Sequence, residues 1–304
     1  MEAPLELLHS VARCTVAVDV NVPPGHPTVA VLGLKRSGSG TVVDEAGLVL
    51  VPNYVVVGAD SVKVTDLEGS SVEGRVIAHD YGSGLAVVDI DKVVPAIAPG
   101  DSNTVDPGSD VFIVAATEGM GRRTASGVVT SAEPFDAYWE YRLERALSLS
   151  VASPGQGGGA LANSRGELLG IVSLNLGIVG RQSLAIPAEH FYDHSEELLA
   201  SGRRVSRPAR AWIGMLCYSL PGQTVLAGIM PESPGERAGL HAGDVMLALD
   251  DTELEDRADL YHLLWMHKPG DTVRLRVQRE GEILDLPVVT GDAEDYFSSD
   301  EISA

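Results

Sequence analysis

Residues 153–163, S-P-G-Q-G-G-G-A-L-A-N, restrict the fold more than any other stretch of the chain. Three consecutive glycines, Gly157, Gly158 and Gly159, entered through Pro154-Gly155, exclude the interior of a helix or strand. Glycine loses more backbone freedom on ordering than any other residue, and proline removes a donor. The run that follows, R-G-E-L-L-G-I-V-S, alternates and then turns wholly apolar, the pattern of a turn leading into a buried strand. A glycine-rich loop before a strand can aim backbone N–H groups at a ligand oxygen. On these residues alone, the plainer reading is a tight turn of a β-barrel.

The rest of the first 190 residues predicts such a barrel. After a short helix over 2–12, β-rich runs recur between turn signals, among them T-V-A-V-D-V, G-L-V-L-V, S-V-K-V-T, G-L-A-V-V-D-I, V-F-I-V-A-A and S-G-V-V-T-S. Many short strands at such spacing indicate an all-β barrel or sandwich. Residues 188–200 read as a helix ended by Gly202, with His190 and His194 four apart. That spacing suits a metal, but the sequence places no third ligand, so a solvated helix face is expected and no metal or cofactor. Residues 201–210, S-G-R-R-V-S-R-P-A-R, form a basic linker in an otherwise acidic chain.

Several motifs resemble the HtrA/Deg group of trypsin-like serine proteases. P-G-Q-G-G-G-A-L is similar to that group's P-G-N-S-G-G-P-L box, residues 37–60 to its G-S-G…L-T-N-x-H-V-V string, and 79–90 to its D-x-x-x-D-L-A-V-L-x-I string. From 211 on, A-W-I-G-M and G-I-M-P-E-S-P-G-E-R-A-G-L-H-A-G-D-V-M-L-A-L-D-D resemble the entry and core strings of a PDZ domain. The resemblance implies a mainly β protein: a trypsin-like double β-barrel over 1–200, the linker, and a PDZ domain over 211–291; residues 292–304, acidic and without periodicity, are expected to be a disordered tail. It also implies that the positions of the catalytic histidine, aspartate and serine are Tyr54, Gly84 and Gly157.

A serine attacks only when a nearby imidazole takes its proton. Tyrosine, titrating near ~10, does not replace that base, and glycine neither attacks nor orients. These residue types lead to the expectation of a non-enzyme, a pseudoprotease, with an HtrA-type endopeptidase of unorthodox chemistry as the alternative. His79, Asp80, Ser83 and Ser153 lie close in sequence but read as turn and surface residues. The N–H groups of Gly155 and Gly157 correspond to the family's oxyanion hole. PDZ grooves bind by strand addition, so the resemblance assigns peptide binding to Trp212, Ile213, Gly214 and Met215, with Leu260 and Leu264 lining a pocket. The aromatics Tyr138, Trp139 and Tyr141 stand either as a partner surface or as cover for a barrel edge.

The expected partners are peptides or unfolded segments, an active HtrA-type relative and further copies of the chain. The terminal Ile302-Ser303-Ala304 is expected to dock in a PDZ groove. A net charge of −21 argues against nucleic acid. No run of ~18 apolar residues predicts a membrane span. The N-terminus has no basic segment followed by an apolar one, so the chain as written is expected in the cytoplasm, or in the periplasm if it is a trimmed form. Cys14 and Cys217 read as free buried thiols.

Overall fold

The computed structural model describes residues 5–117, 121–176 and 182–298. It is mainly β and divides into two compact units. The first contains Met1–Pro23, Leu32–Phe135 and Leu143–Val205; the second contains Pro24–Val31, Asp136–Arg142 and Ser206–Ala304.

The first unit holds two closed barrels. Strands β1 (Thr15–Asn21), β2 (Lys35–Val42), β3 (Leu48–Pro52), β4 (Ser61–Thr65), β5 (Ser71–Asp80) and β6 (Leu85–Asp89) close in the order β1-β2-β3-β6-β5-β4. Strands β7 (Asp110–Ala116), β8 (Arg122–Ser131), β9 (Leu147–Leu149), β10 (Ala160–Asn163), β11 (Leu168–Asn175) and β12 (Ser183–Pro187) close as β9-β12-β11-β10-β7-β8. Closure removes the exposed edges that such short strands would otherwise present. Valine dominates the first core, with Val18, Val49, Val51 and Val88 sealed from solvent. Leu147, Leu149, Leu161 and Val172 fill the second. Arg122 ties the barrels together, its guanidinium donating to the carbonyls of Thr15 and Thr65.

The second unit has a sheet in the order β13 (Met215–Leu220), β14 (Gln223–Ile229), β15 (Val245–Leu249), β17 (Thr272–Arg279), β18 (Glu282–Val289), with β16 (Thr252–Glu253) on β15. The expected short helix is Pro234–Arg237, capped by the Ser233 hydroxyl accepting from the Glu236 N–H. The hairpin between β17 and β18 turns at Glu280 and Gly281, both at positive φ, as a two-residue primed turn requires. Cys14 and Cys217 are free and buried, as expected.

Three sequence expectations need correction. The two units are not contiguous along the chain, because Asp136–Arg142 and Pro24–Val31 group with Ser206–Ala304. The tail is not disordered throughout: Ala293–Ser298 is a helix, since Tyr296 and Phe297 pack on the Trp212 ring and the Tyr296 hydroxyl donates to the Pro231 carbonyl. The helix over 188–200 is two short ones, Glu189–Tyr192 and Ser195–Ser201, broken at His194. Along 201–210, Ser201 ends a helix, Arg203 bridges to His79, and the Arg210 guanidinium lies 4.6 Å over the Trp265 ring. The segment 302–304, expected to dock in a groove, lies outside the described residues. Among the described residues no helix is long and apolar enough to cross a membrane.

Candidate catalytic cleft and peptide groove

The glycine loop is fixed from both barrels. Ser39 of β2 donates its N–H to the Gly157 carbonyl at 2.6 Å and its hydroxyl to the Gln156 carbonyl at 2.9 Å. Thr41 donates to the Gly158 carbonyl at 3.0 Å, and Gly158 N–H donates to Val172 at 2.6 Å. Every carbonyl from 156 to 158 is thereby occupied. Among the described residues, the N–H groups of Gly155 and Gly157 have no acceptor. Ser153 is spent on the turn itself: its N–H goes to Asn175 Oδ1 and its hydroxyl to the Gly155 carbonyl.

Tyr54 meets Gly157 at this loop, and Gly84 reaches it only through the residue before Tyr54. Tyr54 stands on the helical turn Asn53–Val56, whose first N–H, that of Asn53, donates to the Gly84 carbonyl at 2.8 Å. Arg36 caps the other end of that turn, donating to the carbonyls of Tyr54 and Val57. The Tyr54 hydroxyl crosses to the second barrel and donates to the Ser173 carbonyl at 2.7 Å. There it occupies the volume into which a side chain at 157 would project: a β-carbon on Gly157 would overlap the hydroxyl and stand 2.8 Å from the Ser173 carbonyl. Burial pushes the Tyr54 phenol up to about 12, so it is a neutral donor. His79 is bonded through Nδ1 to Asn53 Oδ1, and burial lowers it to about 4, leaving a neutral imidazole at pH 7.

Gly157→Ala is therefore expected to destabilise the barrels by about 1–3 kcal/mol through overpacking. In a Tyr54→Phe background, which removes the overlapping oxygen, the same substitution should cost less. A double-mutant cycle by urea denaturation checks it, and a coupling below ~0.5 kcal/mol contradicts the overlap.

In the second unit, β13 presents an edge at the end of which 213–215 form a loop. Three successive N–H groups of that loop converge on one carboxylate, that of Glu140: Ile213 donates to Oε2 at 2.9 Å, and Gly214 and Met215 to Oε1 at 2.6 Å each. Gly214 sits at φ 92, and a β-carbon there would overlap Ser233, so the loop can aim its amides only with glycine. Along the edge, Cys217 N–H donates to the Tyr138 carbonyl at 2.5 Å, and Trp139 pairs antiparallel with Leu216. The helix Arg257–Leu264 forms the facing wall. Arg257 donates to the carbonyls of Cys217 and Asp136, and the Tyr261 hydroxyl to Ala137 at 3.0 Å.

Of the peptide residues expected from sequence, Ile213, Gly214 and Met215 lie together, their N–H groups turned to Glu140. Trp212 does not join them: its backbone pairs with Gly291 in both directions, and its ring is covered by Tyr296 and Phe297. Leu260 and Leu264 are sealed in the core with Cys217 and Leu226; the polar contacts of that helix to the groove come from Arg257 and Tyr261. Sequence reading missed Glu140. The signal for it was a lone carboxylate among Tyr138, Trp139 and Tyr141, a group that needs donors wherever its neighbours are covered.

Comparisons with known proteins agree with this architecture. Residues 38–171 match the trypsin-like peptidase domain family and 208–290 the PDZ domain family. A probable periplasmic serine endoprotease, DegP-like, from Ectopseudomonas mendocina is 30% identical over 275 residues, covering 84% of this chain and 56% of that protein. One of the same description from Halomonas elongata is 29% identical over 276 residues, covering 84% and 56%. The chain thus spans a little over half the length of these curated relatives. Among solved structures, the HtrA-type protease AlgW with decapeptide superposes with TM-score 0.55 at 22% identity, covering 94% of this chain and 97% of that one. The serine endoprotease from Yersinia pestis gives 0.56 at 22%, covering 96% and 99%.

The relatives' names and the peptidase fold overturn the expectation of a non-enzyme, which rested on residue types at three positions alone. They also give no support to the cytoplasmic expectation, since the relatives are named as periplasmic. Two closed barrels, a glycine loop at their junction and a following PDZ sheet, matched in sequence across both domains, have one reading: the chain belongs to the HtrA/Deg family, a trypsin-like peptidase domain followed by a PDZ domain.

Proposed function

We propose that this HtrA-type chain recognises extended polypeptides by their carboxy termini through the PDZ groove, outside the cytoplasm as its relatives' names suggest. The observation that carries this is the loop at 213–215, whose three N–H groups already hold a carboxylate while the neighbouring edge holds a strand. That is the chemistry of a terminal carboxylate and of strand addition. The N–H groups of Gly155 and Gly157, without an acceptor among the described residues, suit a peptide carbonyl and extend the same reading to the barrels, around Tyr54 and Gly84. Fluorescence anisotropy with peptides of apolar free carboxy terminus tests it on the full chain. Binding should saturate and weaken at least tenfold when the terminus is amidated; equal binding of acid and amide overturns it.

The names of the relatives favour a second reading, serine endopeptidase activity. A fluorogenic peptide substrate tests it directly. Turnover that a fluorophosphonate abolishes supports it, and an absence of turnover in the full chain counts against it.

A further inference from the structure

We propose that Asp136–Arg142 is an internal ligand that holds the PDZ groove shut, with the Glu140 side chain standing where a peptide's terminal carboxylate would sit. This rests on the reading of the groove as a peptide site.

Each polar group that a peptide would use is already taken by this segment. The N–H groups at 213–215 are on Glu140, the Cys217 N–H is on Tyr138, and Arg257 and Tyr261 hold the carbonyls of Asp136 and Ala137. A second strand cannot pair with the same donors, so a bound peptide and a docked segment exclude each other. The segment is also shaped to stay. Arg142 donates through Nη1 to both carboxylate oxygens of Asp136, at 2.8 and 3.0 Å, closing its base. Trp139 stacks on Tyr141, and Tyr138 leans on Tyr218 of β13. Tyr138 and Tyr218 are both exposed to solvent, so the docked strand keeps an open side from which it can be peeled.

A tethered competitor acts at an effective concentration on the order of millimolar, and a peptide's apparent affinity falls by the fraction of open groove. The charge of the stand-in makes the closure titratable. Burial pushes the Glu140 carboxyl up to about 7, against the pull of the three N–H bonds. The titratable groups facing it are Cys217 and Tyr261, both kept neutral by burial; behind them, Arg257 acts on both and Asp136, paired with Arg142, acts on Tyr261. Released, Glu140 would titrate near ~4.3. Docking therefore takes up a proton between these values, so the closure is firmest toward acid and loosens as pH rises through about 7.

The test compares the full wild-type chain with Glu140→Ala and Glu140→Gln, using a labelled peptide of apolar free carboxy terminus and amide hydrogen exchange at 213–217. Glu140→Ala should bind at least about tenfold more tightly than wild type, with Glu140→Gln between them. In the peptide-free state, its amides at 213–217 should exchange at least tenfold faster. In wild type alone, which covers a variant that does not fold, saturating peptide should speed exchange at 136–142. Tight, equal binding by all three proteins, or unchanged exchange at 136–142 on saturation, overturns the internal ligand while leaving the groove a peptide site. Faster exchange at 213–217 in Glu140→Ala with no peptide bound by any protein overturns the peptide reading, and the proposed competition with it.

Discussion

Gly158→Ala should cost the trypsin-like domain about 2–6 kcal/mol, more than any other single methyl added to the glycine loop. Two penalties combine. Gly158 has φ 104, a region in which an L side chain is strained by about 1–3 kcal/mol. Its β-carbon would also overlap the Ser39 carbonyl oxygen and press on Pro52. That carbonyl cannot retreat, because Ser39 is bonded to the loop through its N–H and its hydroxyl, and the hydroxyl also accepts from Ala116 N–H. Overpacking against fixed backbone adds about 1–3 kcal/mol. Gly108 isolates the first penalty: its φ is 95, and nothing lies within 4 Å of a β-carbon there. Gly108→Ala should therefore cost only the strain. Urea denaturation of both variants checks the difference, and equal losses would remove the overlap from the account.

The barrels were legible because their signal is local. Turn residues punctuate short apolar runs, and each run becomes a strand whose inward positions are the apolar ones. The PDZ core string was legible for the same reason: Ser233 and Pro234 start a helix, Gly239 and Gly243 take positive φ, and Glu280-Gly281 closes a hairpin. The position of Gly157 was legible as a departure from a motif, but not its consequence, that the Tyr54 hydroxyl fills the vacated volume from another barrel.

The occupant of the groove was not legible, and the reason is chemical. Glu140 binds backbone N–H groups 73 to 75 residues away, and backbone donors have no letter in a sequence. The helix Arg257–Leu264 misled in a related way. Its i, i+4 leucines, Leu260 and Leu264, look like a pocket but face the core, whereas Arg257 and Tyr261, at the same spacing, reach backbone carbonyls in the groove. The tail misled by composition: its acidic residues suggest disorder, yet Tyr296 and Phe297 find the Trp212 ring.

Arg279→Ala is expected to destabilise the PDZ unit by about 3–5 kcal/mol at pH 7, the usual cost of stranding a buried charge. The Asp244 side chain is fully buried. It receives Arg279 Nε at 2.6 Å and Nη2 at 2.7 Å, together with the His241 N–H at 2.9 Å, and Arg279 also holds the Gly239 carbonyl. Burial pushes the Asp244 carboxyl up, but the guanidinium and the His241 N–H pull it further down, so it lies below its ordinary value. For a depressed carboxyl, the stabilisation is present above the unfolded value near ~3.9 and is lost as pH falls through the folded one. Wild type should accordingly keep this contribution from pH 8 to about 5. In Arg279→Ala the same carboxyl is buried with one N–H and no cation, which raises its pKa, and the sign reverses. The variant then gains from protonation as pH falls, and the gap to wild type should narrow between pH 7 and pH 4.5. Arg279→Lys should recover only part of the loss, because an ammonium cannot meet both oxygens in the fork geometry. Urea denaturation of the full chain at the two pH values, followed through the PDZ transition, measures the gap. A loss under 1 kcal/mol at pH 7, or the same gap at both, would show that the Asp244–Arg279 pair does not hold this sheet to its turn.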